Sequence, residues 1–274
     1  MTVFARVPSL LSRVVGATLV AAAFSAMPAC GTGLRRGAVP PGTAQPDQYL
    51  YDKGMAALKD KKWLTAREYF TQINDSYAQS ALRPDAMLAI GDTDLGQGTS
   101  EALVFAINEF EEFLSYYPTN PRADYAQYKL ALAHVRQMRN PERDQTETRE
   151  AIDALEKFVT RYPQSTLMPE VKTTLREAHD RLSTSDYLVG FFYFRNKWYP
   201  GAVERFVAIL RDDPDYTQRD GVYFYLAESM VQLKRGAEAL TYYERLVKEF
   251  QQSEYLKDAK MRIVDLKAKA QAAQ

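Results

Sequence analysis

Four kinds of side chain in this sequence are equipped for chemistry: one cysteine, two histidines, a balanced set of carboxylates and bases, and 18 tyrosines. A single sulfur, Cys30, permits no internal disulfide and no cysteine-built metal site. His134 and His179 stand apart, with no Cys, Asp or second His at ligand spacing, so no metal and no cofactor is expected. The 35 Asp+Glu interleave with 35 Lys+Arg, as in Glu244-Arg245 and Lys248-Glu249. That is the pattern of surface ion pairs on helices rather than of a catalytic carboxylate pair. No G-x-S-x-G, H-E-x-x-H, P-loop or dinucleotide fingerprint occurs. Formal neutrality argues against a nucleic-acid binder, which needs a broad basic face. The chemistry left is recognition, in which tyrosine offers an apolar body and a polar edge.

Cys30 has a second chemistry, as an acyl acceptor. Arg6 and Arg13 precede an apolar run from Val14 to Met27, and no acid appears before Asp47. A basic start, a short apolar stretch and small residues before a break read as a secretory signal, residues 1–29. The junction Ala26-Met27-Pro28-Ala29-Cys30-Gly31 resembles a bacterial lipobox, with Pro28 a departure from its usual small residue. The resemblance implies cleavage before Cys30 and lipid on its sulfur; the plainer alternative is a signal in which Cys30 is incidental. Gly31, in place of Asp, favours the outer membrane by the same resemblance. Losing Arg6 and Arg13 leaves a mature chain of formal charge −2. Residues 30–47, rich in Gly and Pro, read as the lipidated Cys and a tether.

The elements that must position the tyrosines form a repeat array over 48–274. A small residue followed at +4 and +7 by large apolar ones recurs as Ala66-Phe70-Ile73, Ala106-Phe110-Phe113, Ala151-Leu155-Phe158, Ala202-Phe206-Ile209 and Ala239-Tyr243-Leu246. Spacings of 4 and 3 put each set on one helical stripe, and a following Tyr-Pro or Asp-Pro stops the helix. The pattern resembles helix B of the tetratricopeptide (TPR) repeat. The expected fold is an all-α TPR solenoid of five helix-turn-helix repeats, near 48–78, 84–118, 122–163, 168–214 and 219–250. A C-terminal capping helix over 253–270 buries Leu256, Ala259, Ile263 and Leu266. The second repeat is stretched by a Gly-rich loop, 95–100, and the third by an insert, 138–148. The fourth opens on a long helix from about Met168 to Arg195.

The A helices of a TPR solenoid line its concave face. The positions expected there are Tyr51, Met55 and Leu58; Leu88 and Asp92; Tyr125, Tyr128, Leu132 and Arg136; and Tyr187, Phe191 and Phe194. For any one of these, packing between repeats is the equal alternative. The group suits an extended or hairpin peptide that carries aromatics, and lacks the Lys/Arg concentration that acidic tails require. His134, on a helix-A packing position, reads as a satisfied core or groove residue.

The insert Arg139-Asn-Pro-Glu-Arg-Asp-Gln-Thr-Glu-Thr-Arg149, together with the lipobox and five TPR units, resembles the BamD family, lipoproteins of the outer-membrane β-barrel assembly machinery. The likeness covers about residues 48–250. Asp144 is placed to cap the third B helix with Glu147 completing a capping box, so Arg143 and Asp144 serve either the loop or a partner. The resemblance implies a non-catalytic scaffold in the outer membrane, lipid-anchored and facing the periplasm. It implies a client groove of Tyr51, Met55, Leu58, Leu88, Tyr125, Tyr128 and Leu132 for the C-termini of unfolded outer-membrane proteins. It also implies a partner face of Arg143, Asp144, Tyr187, Phe191, Phe194, Arg195 and Tyr223 toward BamA-like POTRA domains and other assembly lipoproteins. The competing reading is a TPR envelope lipoprotein serving cell-wall synthesis, the Tol system or secretin assembly.

Overall fold

The computed structural model describes residues 39–272; Cys30, the signal 1–29, the tether residues up to 38 and the last two residues lie outside the described residues. Among the described residues, eleven α-helices follow one another and no strand occurs. They are α1 (Pro46–Lys59), α2 (Trp63–Ser76), α3 (Arg83–Gln97), α4 (Ser100–Tyr116), α5 (Ala123–Val135), α6 (Thr146–Arg161), α7 (Met168–Arg195), α8 (Tyr199–Asp212), α9 (Arg219–Gln232), α10 (Gly236–Glu249) and α11 (Leu256–Ala272). Each helix packs on the next, so α1/α2 to α9/α10 are five hairpins of an A and a B helix. The A helices also touch one another, α1 to α3, α3 to α5 and α7 to α9, whereas no pair of B helices comes as close. The A helices therefore form the inner layer of a TPR solenoid.

The B-helix stripes are its core. Ala66, Phe70 and Ile73, and their counterparts Ala106, Phe110 and Phe113, are completely buried. Burying each such Phe contributes about 1.5–3 kcal/mol. The ring fits because the facing A helix carries no side chain there: a Cβ on Gly54 would stand 2.6 Å from Phe70, and one on Gly190 2.7 Å from Phe206.

Neighbouring hairpins are tied by one recurring hydrogen bond. An Asp on helix A accepts from the turn that opens the next A helix: Ser80 Oγ to Asp47 (2.7 Å), Arg122 Nη1 to Asp85 (2.9 Å), Ser165 Oγ to Asp124 (2.6 Å), Thr217 Oγ1 to Asp180 (3.0 Å) and Ser253 Oγ to Asp220 (2.6 Å). Asp47 titrates below the usual carboxylate range, chiefly because Ser80 donates to it. The short A–B turns share a second device. Lys61, Lys197 and Lys234 adopt the left-handed region with φ 57, 60 and 62°. The next amide of each, as in Lys62 N to Ala57 O at 2.9 Å, closes the helix end in a Schellman turn.

Three sequence expectations shift. The chain becomes ordered structure before 47: Val39 packs against the first hydrophobic cluster and Pro46 opens α1. The loop expected over 95–100 shrinks to Gly98 (φ 70°) and Thr99, because α3 runs on to Gln97. A Cβ on Gly96 would stand 2.6 Å from Trp63, so the indole packs across to the second hairpin. The capping box at the third B helix does not form. Asp144 Oδ1 accepts from Thr146 N at 3.0 Å, while Glu147 turns away to His134 Nδ1 at 2.8 Å.

Candidate interaction surface

On the inner layer of the first three hairpins, α3 and α5 lie side by side in matched register. Asp85 faces Arg122 (Oδ1 to Nη1 2.9 Å) and Asp92 faces Lys129 (Oδ1 to Nζ 3.5 Å). Both pairs are 37 residues apart, and in each helix the two members are seven apart, two turns on one face. Tyr125 sits inside this ladder. Arg122 Cζ stands 4.8 Å and Lys129 Nζ 5.0 Å from its ring centre, and its hydroxyl donates to Asp92 Oδ2 at 2.7 Å. Burial first, then the Asp92 carboxylate, push this phenol well above its ordinary range, so it remains a donor. Asp92 Oδ1 accepts no hydrogen bond.

Tyr51 borders the ladder from α1, half-buried and edge-on to Phe70 at 5.7 Å. Its phenol is raised by burial and by Asp85. Met55 is 42% exposed one turn along, and Leu58 is half-buried against the first cluster. Leu132 is half-buried between the second and third hairpins, and Arg136 reaches across to the carbonyl of Leu95. The surface that solvent reaches thus comprises Tyr51, Met55, Tyr125 and the charged ladder. Asp85, Arg122 and Lys129 were missed from the sequence; two opposite-charge pairs at a common spacing of 37 were the signal available.

Two groove expectations are corrected. Leu88 is 1% and Tyr128 4% exposed. Both turn toward the B helix of their own hairpin, Tyr128 edge-on to Phe158 at 6.3 Å, and burial pushes its phenol up to about 12. An A helix packs against two B helices, its own and the preceding one, and these residues point at the former.

The C-terminal aromatics are likewise engaged. Tyr187, Phe191 and Phe194 from α7 close around Tyr225 of α9, with centroids 6.3, 4.8 and 5.0 Å away. Tyr255 stacks on Phe224 at 4.8 Å and joins the same group. This cluster joins the last two hairpins to the start of α11, with its rings half-buried against one another. Arg195 is exposed and lies 5.9 Å over Phe191. Tyr223, expected to face a partner, is fully buried and donates to Glu249 Oε2 at 3.0 Å. A stretch of apolar residues around it, Val222 to Leu226, hid which one pointed inward.

What does stand exposed near the fourth hairpin is a different set: Val189 (38%), Phe192 (61%) and Trp198 (56%). With Arg143 and Pro141 of the insert, Val189 and Phe192 line a cleft of about 450 Å³. The insert is held by Gln145, 3% exposed, whose amide donates to the carbonyls of Asn140 (2.9 Å) and Arg143 (3.0 Å) and accepts from Thr148 Oγ1 (2.8 Å). Arg143 and Asp144 are exposed on its outside.

The chain is similar to three curated relatives, each described as an outer membrane protein assembly factor BamD. That of Caulobacter vibrioides is 27% identical over 196 residues, 71% of this chain and 63% of its own length. Those of Vibrio cholerae and Rickettsia prowazekii are each 24% identical, covering 62% and 70% of this chain and 73% and 76% of theirs. The chain thus spans a little under two thirds of the Caulobacter protein. Among solved structures it is similar to the TPR2AB domain of yeast Sti1, with a TM-score of 0.43 and 12% identity over 82% of this chain and 84% of that one. The model of the YfiO family, described as outer membrane lipoprotein, matches residues 43–240, which takes in the charged ladder, the insert and all but the end of the fifth hairpin. With the greater part of its solenoid inside that match, this chain belongs to the YfiO family of outer membrane lipoproteins.

Proposed function

We propose that the protein is a non-catalytic scaffold of outer-membrane protein assembly, anchored through lipid on Cys30 and facing the periplasm. Its first three hairpins receive the C-terminal segment of an unfolded barrel client, and its fourth holds the POTRA domains of a BamA-like insertase. The observation that carries the client site is the ladder of Asp85, Arg122, Asp92 and Lys129 around Tyr125, with exposed Met55 beside it. An extended aromatic-bearing segment finds there apolar surface at Tyr51 and Met55.

For the insertase, exposed Phe192 and Trp198 with Arg143 and Arg195 replace the buried Tyr223 and the internally packed Tyr187, Phe191 and Phe194. Because Val39 is already packed on the first hairpin, the residues from Cys30 to Val39 can span at most about 30 Å. That keeps the client groove close to the leaflet. Holding client and insertase on one body near one membrane raises their effective concentration without any covalent step.

The test is purification of the full-length lipoprotein from detergent-solubilised membranes. A barrel protein with POTRA domains is expected in the eluate, and is expected to be lost in Phe192→Glu/Trp198→Glu. Recovery of cell-wall enzymes, Tol components or a secretin in its place contradicts the proposal.

A further inference from the structure

α11 is built as the first helix of another repeat. Counted from the serine or asparagine that opens each A helix, Ser80, Asn120 and Ser253, the positions at +8, +11 and +15 are Leu88/Gly91/Leu95, Tyr128/Ala131/Val135 and Met261/Val264/Ala268. In the second and third hairpins these residues face the helix B of their own hairpin: Leu88 and Leu95 share a cluster with Phe110, and Tyr128, Ala131 and Val135 share one with Phe158. The positions at +6 and +10 pack back on the preceding hairpin, as Ala126 and Leu130 do and as Ala259 and Ile263 of α11 do. The Ser253 to Asp220 bond fixes α11 in this register.

Among the described residues, no helix covers the other stripe of α11. Met261 is 52% and Val264 67% exposed, and Ala268 is exposed as well. A helix that merely caps a solenoid presents a polar outer face; this one presents Met, Val and Ala at helical spacing. The stripe opens into a cleft of about 690 Å³ floored by Phe194, Phe224 and Tyr225. The flank toward the cleft is acidic, and the other carries Lys257 and Lys260 beside Met261. Asp258 and Asp265 line the cleft, whereas the nearby Arg262 is taken by Glu228 (Nε to Oε1 2.6 Å, Nη2 to Oε2 2.9 Å). The stripe lies beyond residue 240, where the family match ends.

We propose that this face of α11 is a docking site for one amphipathic helix of a partner protein, which takes the place of helix B in a sixth repeat. The partner helix carries small or aliphatic residues at i, i+4 and i+7, with Lys or Arg beside them to meet Asp258 and Asp265. It carries no Phe at the central position. Val264 occupies the place of Gly91, where even a single Cβ would stand 2.7 Å from the Phe110 ring. A second copy of this chain fits less well. Antiparallel pairing of two α11 helices about Val264 and Asp265 brings Lys260 against Lys269 and leaves Asp258 against Gln271.

The site is tested with the full mature chain and two labelled 16-residue helical peptides that share an Ala/Leu stripe at i, i+4 and i+7 and differ in Lys or Glu flanks. Fluorescence anisotropy is expected to give saturable binding of the Lys-flanked peptide. At least tenfold weakening is expected in Val264→Glu, whose exposed position leaves folding intact by circular dichroism. A reversed preference is expected in Asp258→Lys/Asp265→Lys. Absence of binding, equal binding of both peptides, or binding unchanged in Val264→Glu overturns the proposal. So does a dimer in sedimentation that Val264→Glu dissociates, which would give the face to a second copy.

Discussion

The hydroxyl of Ser253 donates to Asp220 Oδ2 at 2.6 Å, repeating at the last junction the bond of Ser80 to Asp47 at the first, with the partners 33 residues apart in both. The same contact thus sets the angle between hairpins at the start and at the end of the solenoid. Ser253→Ala removes the donor and leaves a partly buried carboxylate short of a partner. The expected cost is about 0.5–1.5 kcal/mol. Hydrogen exchange is expected to quicken in α11 with little change in α1 to α8, because a repeat array loosens locally.

Gly190 exists for the ring of Phe206. Gly190→Ala puts a methyl 2.7 Å from that ring, and α7 and α8 must part to admit it. Overpacking of this kind costs about 1–3 kcal/mol. Phe206→Leu costs stability in the wild-type chain. In the Gly190→Ala background it is expected to cost less, a coupling that a double-mutant cycle in urea measures.

Asp94 and Glu109 make stability depend on pH. Burial pushes the Asp94 carboxyl up to about 6 and that of Glu109 up to about 7, against the opposing pull of Arg67. Arg67 lies 3.6 Å from Asp94 and 4.0 Å from Glu109. Since both folded-state values lie above the unfolded ones, the native chain binds more protons between about pH 4 and pH 7. These two groups therefore add stability at low pH that is lost as pH rises through 6 to 7. The midpoint of thermal unfolding is expected to fall between pH 5 and pH 7.5, and to fall less in Asp94→Asn.

Gln145 is the staple of the insert. Gln145→Ala leaves the carbonyl of Arg143 and the hydroxyl of Thr148 without their partner, and leaves the carbonyl of Asn140 only the Arg143 amide. A loss of about 1–3 kcal/mol is expected, with protease cleavage appearing between residues 138 and 145.

The helices and their B-face stripes were legible in the sequence because Ala66, Phe70 and Ile73 and their counterparts serve one interface at one spacing. The long α7 was legible because no proline interrupts it after Pro169. The inner face was not. An A helix contacts two B helices and its neighbouring A helices, so α5 carries apolar residues nearly all round and its period cannot separate buried Tyr128 from half-buried Tyr125. Tyr223 was lost the same way. The pairing of Glu147 with His134 depends on the conformation of the insert, which spacing along the chain does not encode.

The proposed seat of the client is the first three hairpins. It is tested by photo-crosslinking of the lipoprotein with a peptide that ends in the aromatic C-terminal segment of an outer-membrane barrel and carries a photoreactive side chain. Adducts are expected at Tyr51, Met55 and Tyr125, and are expected to fall at least several-fold in Met55→Glu and in Tyr125→Ala. Tyr128→Ala would probe folding instead, since that side chain is buried. Adducts confined to the fourth and fifth hairpins, unaffected by Met55→Glu, would contradict the claim.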